Sequence, residues 1–301
     1  MGEPMNETIY ALGFFDGVHI GHAALLKACR ELAAQRGCRA GVVTFGSHPD
    51  TLVLGQTPRL INTAQDREWM LRELFHMDAV ITLPFDRQMR DMDWRDFLEM
   101  LRKTYSAVGF VCGEDFRFGS RGAGSADTLA GYCREAGLPW AVIPEQTRDG
   151  IRVSSTYIRR QLESGDMKTA VAFLGHPHIL RGTVVHGQAL GRRLGIPTAN
   201  LLLPPELAVP KFGVYACRAR VNGGVYPAVA NIGTRPTVSG HSITVEPWIL
   251  DYTGDLYGQQ ITLEFFYFIR PERKFPDLEA LKEEIHRNAQ QTRDFFAAME
   301  K

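Results

Sequence analysis

The chain has 301 residues, 45% of them hydrophobic and 23% charged, with 34 Lys+Arg against 34 Asp+Glu. At roughly 100–200 residues per domain this length predicts two domains, each long enough to bury a core. Zero net charge gives no broad basic field for nucleic acid or anionic lipid, so the expected partners are small molecules, met by a monomer or weak oligomer.

Cys29, Cys38, Cys112, Cys133 and Cys217 are scattered and odd in number, with no Cys-x-x-Cys pair. That pattern argues against a disulfide framework or a zinc ribbon. The polar start MGEPMNET feeds no apolar run, and no stretch is long enough to span a bilayer. The expected location is the cytoplasm, with no membrane partner.

In chain order, TIYALGFF reads as a buried strand, and GHAALLKACRELAAQ, closed by Gly37, as a helix. RAGVVTF is the next strand. TAQDREWMLRELF opens with Thr63 and Asp66 in N-capping spacing. DAVITL, AVGFVCG and PWAVIP are strands; DWRDFLEMLRKTY and SADTLAGYCREAG are helices. This alternation predicts an α/β fold, a parallel sheet covered on both faces, with ligands beyond the carboxyl ends of its strands.

VSSTYIRRQLESG and DMKTAVAFLG read as helices. Then the texture changes. ILRGTVVHG, VYACRARV, VYPAVANIG, SITVEPWILDY and QQITLEFFYFI are strand-like, with a hairpin turn predicted at NGG, 222–224. The run DLEALKEEIHRNAQQTRDFFAAM predicts a closing helix with an apolar stripe through Leu278, Leu281 and Ile285. The second half is therefore expected to be an antiparallel β-barrel with a C-terminal helix. The expected domains are 1–175 and 176–301.

The junction ALGFFDGVHIGH packs three glycines and two histidines between a strand and a helix. Gly13 and Gly17 permit a tight turn, and the helix start offers unpaired N–H groups to an anion. His19 and His22, three residues apart, can face the same way as donors to a polyphosphate. A zinc pair and a plain structural turn are the competing readings.

The stretch resembles the His-x-Gly-His motif of the nucleotidyltransferases, and more narrowly the FMN adenylyltransferase module of prokaryotic FAD synthetases. TFGSHP at 44–49, CGEDFRFG at 112–119 and VSSTYIR at 153–159 are similar to further segments of that family. Phe14 stands where the family often has Asn. The resemblance implies a Rossmann-like nucleotidyltransferase domain that binds ATP through Gly13, Phe14, Asp16, Gly17, His19, His22, Ser154, Ser155, Thr156 and Arg159. It implies FMN beside Asp115, Phe116 and Phe118. His19, His22 and Arg159 would be the catalytic group. The nucleophile, a phosphate of FMN, is ionised at neutral pH and needs no general base.

HGQALGRRLGIPTANL, 186–201, is not a Walker A loop. Gly187, Gly191 and Gly195 make it pliable, and Pro197 fixes an extended stretch in which Thr198 and Asn200 share a side. Two neutral oxygens on one side suit magnesium carrying ATP phosphates; a glycine-rich hairpin loop is the plainer reading.

The run resembles the riboflavin kinase signature Gly-x-Pro-Thr-Ala-Asn, and GVYA, ANIGTRPTV and LDYTGDLYGQQITLEF are similar to that family in the same order. The resemblance implies a six-stranded barrel that phosphorylates riboflavin. It gives ATP to Gly187, Gly191, Thr198 and Asn200, magnesium to Thr198 and Asn200, and riboflavin to Glu246 as proton acceptor.

The whole chain thus resembles a bifunctional riboflavin kinase/FMN adenylyltransferase, with ATP, Mg2+ and the flavins riboflavin, FMN and FAD as its small molecules. A single-activity enzyme with the other site decayed, a different phosphorylated acceptor, and a non-catalytic flavin-binding regulator are the alternatives.

Overall fold

The structure is a computed structural model that describes residues 7–55, 57–185, 195–237 and 240–299. Its contacts divide the chain into two compact units, 1–155 and 156–301.

The first unit runs β1 (Thr8–Leu12), α1 (Ile20–Arg36), β2 (Arg39–Phe45), α2 (Pro49–Val53), α3 (Ala64–Glu73) and β3 (Ala79–Leu83). It continues with α4 (Arg87–Asp91), α5 (Trp94–Tyr105), β4 (Ala107–Gly113), β5 (Arg117–Phe118), β6 (Gly124–Ser125) and α6 (Ala126–Ala136). β7 (Trp140–Ile143), β8 (Thr147–Arg148) and β9 (Ile151–Arg152) end it.

Its five-stranded sheet has the order β3-β2-β1-β4-β7, with every neighbouring pair parallel. All five residues of β1 are buried, as expected of a strand covered on both faces. The helices begin on side-chain caps: Thr63 accepts from Asp66 N, Asp93 from Arg95 N, and Ser125 forms a reciprocal box with Thr128. The sheet's connections run outward in opposite directions from β1 and β4. The crevice beyond the carboxyl ends of these two strands is where such sheets take ligands.

The expected strand over TIYALGFF stops at Leu12, because Phe15 turns to φ 60°. Phe15, Gly17 and Val18 all have positive φ, with Val18 at 39°. A β-branched residue there is strained by about 1–3 kcal/mol, and burial of the whole turn, Phe15 through His19, holds it.

The second unit contains α7 (Ser155–Ser164), whose first residue falls in the first unit, then α8 (Met167–Leu174), β10 (His178–Thr183), β11 (Leu201–Leu202) and β12 (Gly213–Val221). β13 (Gly224–Thr237), β14 (Gly240–Ile249), β15 (Gln260–Pro271) and α9 (Leu278–Met299) complete it.

The six-stranded sheet has the order β10-β15-β12-β13-β14-β11, antiparallel throughout. Its edges meet: Val185 N, just past β10, donates to the Asn200 carbonyl, just before β11, at 2.9 Å. The sheet is thereby a nearly closed barrel. Asn222 (φ 48°) and Gly223 (φ 80°) form the two-residue turn expected at NGG. The division falls after Ser155, ahead of 175, because α8 packs on β15 and β10, and Lys211 N donates to Leu162 O in α7.

α9 differs from its apolar stripe. Leu278 is 56% exposed, while Glu284, Asn288 and Thr292 are buried with Phe296. A carboxylate tolerates this position because three guanidiniums surround it: Arg270 at 3.1 Å, Arg273 at 2.6 Å and Arg287 at 2.6 Å.

His178, the first residue of β10, is fully buried beside Phe265. Neither ring nitrogen has a partner among the described residues. Burial, with His176 nearby, pushes its pKa down to about 3. The folded form therefore binds the neutral ring, whereas the unfolded chain protonates near 6.5. The stability this gives is present above pH 6.5 and is lost as pH falls towards 3. Between pH 7 and pH 5 the loss is about 2 kcal/mol. Replacing His178→Leu should remove that increment, so that denaturant titrations at the two pH values differ by about 2 kcal/mol less in the variant than in the parent.

Candidate active sites

In the first unit the strand-to-helix turn gathers most of its expected residues. His19 is the N-cap of α1, and its Nδ1 accepts from His22 N at 3.3 Å. The two imidazoles lie stacked, centroids 3.6 Å apart and 10° from parallel. Burial, then the neighbouring His19 and Arg67, holds His22 well below the ordinary histidine range. The ring is thus neutral at pH 7 and acts by its N–H, not by charge. Together with the first N–H groups of α1 it makes a donor-rich corner suited to phosphate oxygens.

Asp16 is anchored within the turn by three hydrogen bonds. Its Oδ1 accepts from Ile61 N at 2.8 Å and Asn62 N at 3.3 Å, and its carbonyl accepts from Ser155 Oγ at 2.8 Å. The carboxylate fastens the segment before α3 to the turn. Phe14 stacks edge-on against His48 and lies 4.2 Å below the Arg67 guanidinium. Gly13 continues the β1–β2 pairing through its N–H to Val43 O. Ser154 is half-buried just before α7. Thr156 and Arg159 belong to the second unit, where Arg159 donates to Thr156 Oγ1 at 3.0 Å.

Beyond the ends of β2 and β4 lies a cavity of about 190 Å³, lined by Phe45, Phe85, Met89, Phe97, Phe118 and Arg117 among others. Phe118 stacks on Phe116 at 5.4 Å. Asp115 is exposed and paired with Arg152 at 2.6 Å. Of the expected flavin-side residues, Phe118 lines this cavity, and Phe116 backs it from behind that ring. Gly119 has φ 71° and a Cβ there would fall 2.6 Å from Trp94 Cα, so the bend that shapes the rim demands glycine.

The second unit holds two cavities that share Thr198. One, of about 340 Å³, is lined by Val184, Pro197, Thr198, Thr253, Asp255 and Tyr257 with neighbours from the same loops. The other, of about 360 Å³, is bounded by Thr198, Asn231, Glu246, Trp248, Leu281 and Ile285, among others. Glu246 and Asn231 sit opposite each other on paired strands. Thr244 Oγ1 donates to Glu246 Oε1 at 3.5 Å. Asn200 is buried, and its Oδ1 has no partner among the described residues. Gly187 and Gly191 lie outside the described residues.

Sequence reasoning missed the wall of the larger cavity. Leu281 and Ile285 read as core residues of a helix, yet they face this space. Trp248 could have been found: it is two residues from Glu246, so an extended strand puts both on one face. In the aromatic run 265–268, by contrast, Phe265 packs on Tyr215 and Phe266 on Phe296, while Tyr267 is exposed.

Two family models match the chain, one described as FAD synthetase over residues 2–157 and one as riboflavin kinase over 174–296. A bifunctional riboflavin kinase/FMN adenylyltransferase of Listeria monocytogenes is 32% identical over 295 residues, 97% of this chain and 93% of that protein. The protein of the same description from Escherichia coli K12 is 35% identical over 296 residues, 97% and 94% of the two chains. A solved structure described as a macrolide-efflux protein from Streptococcus pneumoniae superposes with a TM-score of 0.84 at 29% identity, covering 97% of this chain and 95% of that one. That name speaks of efflux; among the described residues here no helix is long and apolar enough to cross a membrane. Both family models fall in order along one chain, and relatives bearing both activities in their names match it nearly end to end: the chain belongs to the bifunctional riboflavin kinase/FMN adenylyltransferases, which phosphorylate riboflavin to FMN and adenylylate FMN to FAD with ATP.

Proposed function

We propose that the two reactions are run by two differently built sites, adenylyl transfer by residues 1–175 and riboflavin phosphorylation by 176–301. The observation that carries the second assignment is the position of Thr198, common to two cavities. One, of mixed polar and apolar lining, is given to the nucleotide; the other, largely apolar but edged by Glu246, Glu272, Arg270 and Arg273, is given to the isoalloxazine ring with its ribityl chain. The γ-phosphoryl group would pass between them.

Riboflavin's 5'-hydroxyl is barely ionised at neutral pH, so a proton acceptor is useful as the O–P bond forms. Glu246 lines the flavin cavity and takes that role. Thr198 and Asn200 are the residues that would hold magnesium. The buried, unpartnered Asn200 Oδ1 fits a hard cation that prefers oxygen ligands. Magnesium, when bound, would neutralise charge on the ATP phosphates. Gly187 and Gly191 are assigned to those phosphates on the resemblance alone.

In the first unit, FMN brings an anion that is already nucleophilic. The protein has only to align it with the α-phosphorus of ATP and stabilise charge on the departing pyrophosphate. Gly13, Phe14, Gly17, His19 and His22 form the phosphate corner of this reading. Asp16 braces it, and the cavity at Phe118 takes the flavin, with Asp115 and Phe116 at its margin. The run Ser154, Ser155, Thr156 and Arg159 is given to ATP on its signature alone. The further reading is a cytoplasmic monomer or weak oligomer that acts on small molecules and not on nucleic acid.

Separate assays with riboflavin and with FMN, each with MgATP and product chromatography, test the division. Glu246→Gln should slow FMN formation by about two to four orders of magnitude and leave FMN-to-FAD conversion within twofold. His22→Ala should do the opposite, with a loss of about a hundredfold confined to FAD formation. A folded variant that lost both steps would overturn the division. Asn200→Ala should raise the magnesium concentration at half-maximal phosphorylation by about tenfold, read from a metal titration of kinase rate.

A further inference from the structure

Arg67, on the first turns of α3, is fully buried. Its Nη2 donates to the Phe45 carbonyl at the end of β2, and its planar group lies flat over Phe14. Its Nε and Nη1 have no hydrogen-bond partner among the described residues, and neither has the nearby His22 Nδ1. Asp16 is close enough to favour the charged guanidinium, but its Oδ1 is taken up by Ile61 and Asn62.

A buried guanidinium left with open donors is costly, and a protein that served only packing would place an apolar chain here. The neighbouring His22 is neutral, so it brings no net charge to a site that must receive four or so phosphate charges. The face of Arg67 turned to Phe14 is closed by that half-buried side chain, whose ring contacts among the described residues are with Arg67 and His48. Movement of that one ring would uncover the guanidinium beside the histidines.

We propose that Arg67 is a binding residue for the pyrophosphate leaving group of adenylyl transfer, its Nε and Nη1 donating to pyrophosphate oxygens once the Phe14 ring moves aside. The assignment rests on placing adenylyl transfer at this turn. In the forward step an FMN phosphate oxygen bonds to the α-phosphorus of ATP while the bond to the β-phosphate bridging oxygen breaks, and the bond electrons leave on pyrophosphate. Nη2 is held by the Phe45 carbonyl, so Nε–H and Nη1–H, which point to different edges of the planar group, would each donate to a separate oxygen.

The test is the reverse reaction of the full chain, FAD plus magnesium pyrophosphate giving FMN and ATP, followed by flavin chromatography. Arg67→Met should raise the KM for pyrophosphate at least tenfold, with the KM for FAD, the riboflavin kinase rate and the melting temperature of the chain little changed. An unchanged KM for pyrophosphate in a folded Arg67→Met protein overturns the proposal, because a packing role would lower turnover without singling out this substrate. Should that variant not fold, Phe14→Ala decides: it keeps Arg67, and it should lower the KM for pyrophosphate severalfold, whereas an unchanged or higher value overturns the proposal. His22→Ala runs beside both. If it leaves FAD turnover intact, the placement of adenylyl transfer at this turn fails; if it abolishes turnover while Arg67→Met and Phe14→Ala leave pyrophosphate unaffected, only the role of Arg67 fails.

Discussion

A polar atom taken out of water and given no partner costs about 1–3 kcal/mol, and both units of this chain hold such atoms where their ligands are expected. His22 Nδ1 and two nitrogens of Arg67 lie at the turn after β1; Asn200 Oδ1 lies at the start of β11. The strained backbone at Phe15 and Val18 falls in the same turn as the first set, and the proposed function gives both sets to substrate or metal.

The polarity of the open atoms differs between the units, and that difference follows the chemistry. Adenylyl transfer begins with an anion and ends by releasing one, so the first unit supplies donors: the N-terminus of α1, the stacked imidazoles and a buried guanidinium. Phosphorylation of an alcohol must remove a proton and manage a cation, and the residues proposed for it in the second unit present oxygens: Thr198, Asn200 and Glu246. Neither set would serve the other reaction. A guanidinium cannot take the hydroxyl proton, and a strand carboxylate would repel an incoming FMN phosphate.

Each set is held by elements that do not touch the chemistry. In the first unit the Asp16 carboxylate and carbonyl tie the turn to the segment before α3 and to Ser155. In the second, the Glu284 carboxylate gathers Arg270, Arg273 and Arg287 and so seats α9 against the barrel, where Leu281 and Ile285 become a wall of the flavin cavity. A buried carboxylate is thus the bracing device in both halves, compensated by backbone N–H groups in one and by guanidiniums in the other.

By itself the sequence determined the local order: RAGVVTF as a strand, the cap at Thr63, the Asn222–Gly223 turn, and the change from strand–helix alternation to a β-rich half. Its motifs also marked the turn at 13–22 and the Pro-Thr-Ala-Asn run, because these depend on residues close in the chain and on backbone preferences that act over a few positions. The tertiary structure alone decided the rest. The bracing bonds of Asp16 are decided by folding, because Ile61 and Asn62 are distant in sequence and present their N–H groups only in the folded chain. Arg67 carried no motif, and its burial depends on β2 and Phe14. The inward face of α9 is polar against its apolar stripe, since hydrophobic periodicity does not register three arginines brought from outside the helix stripe to one carboxylate. Short-range patterning writes the elements and their turns; which polar groups are buried, and beside what, is set by contacts between residues that the chain order keeps apart.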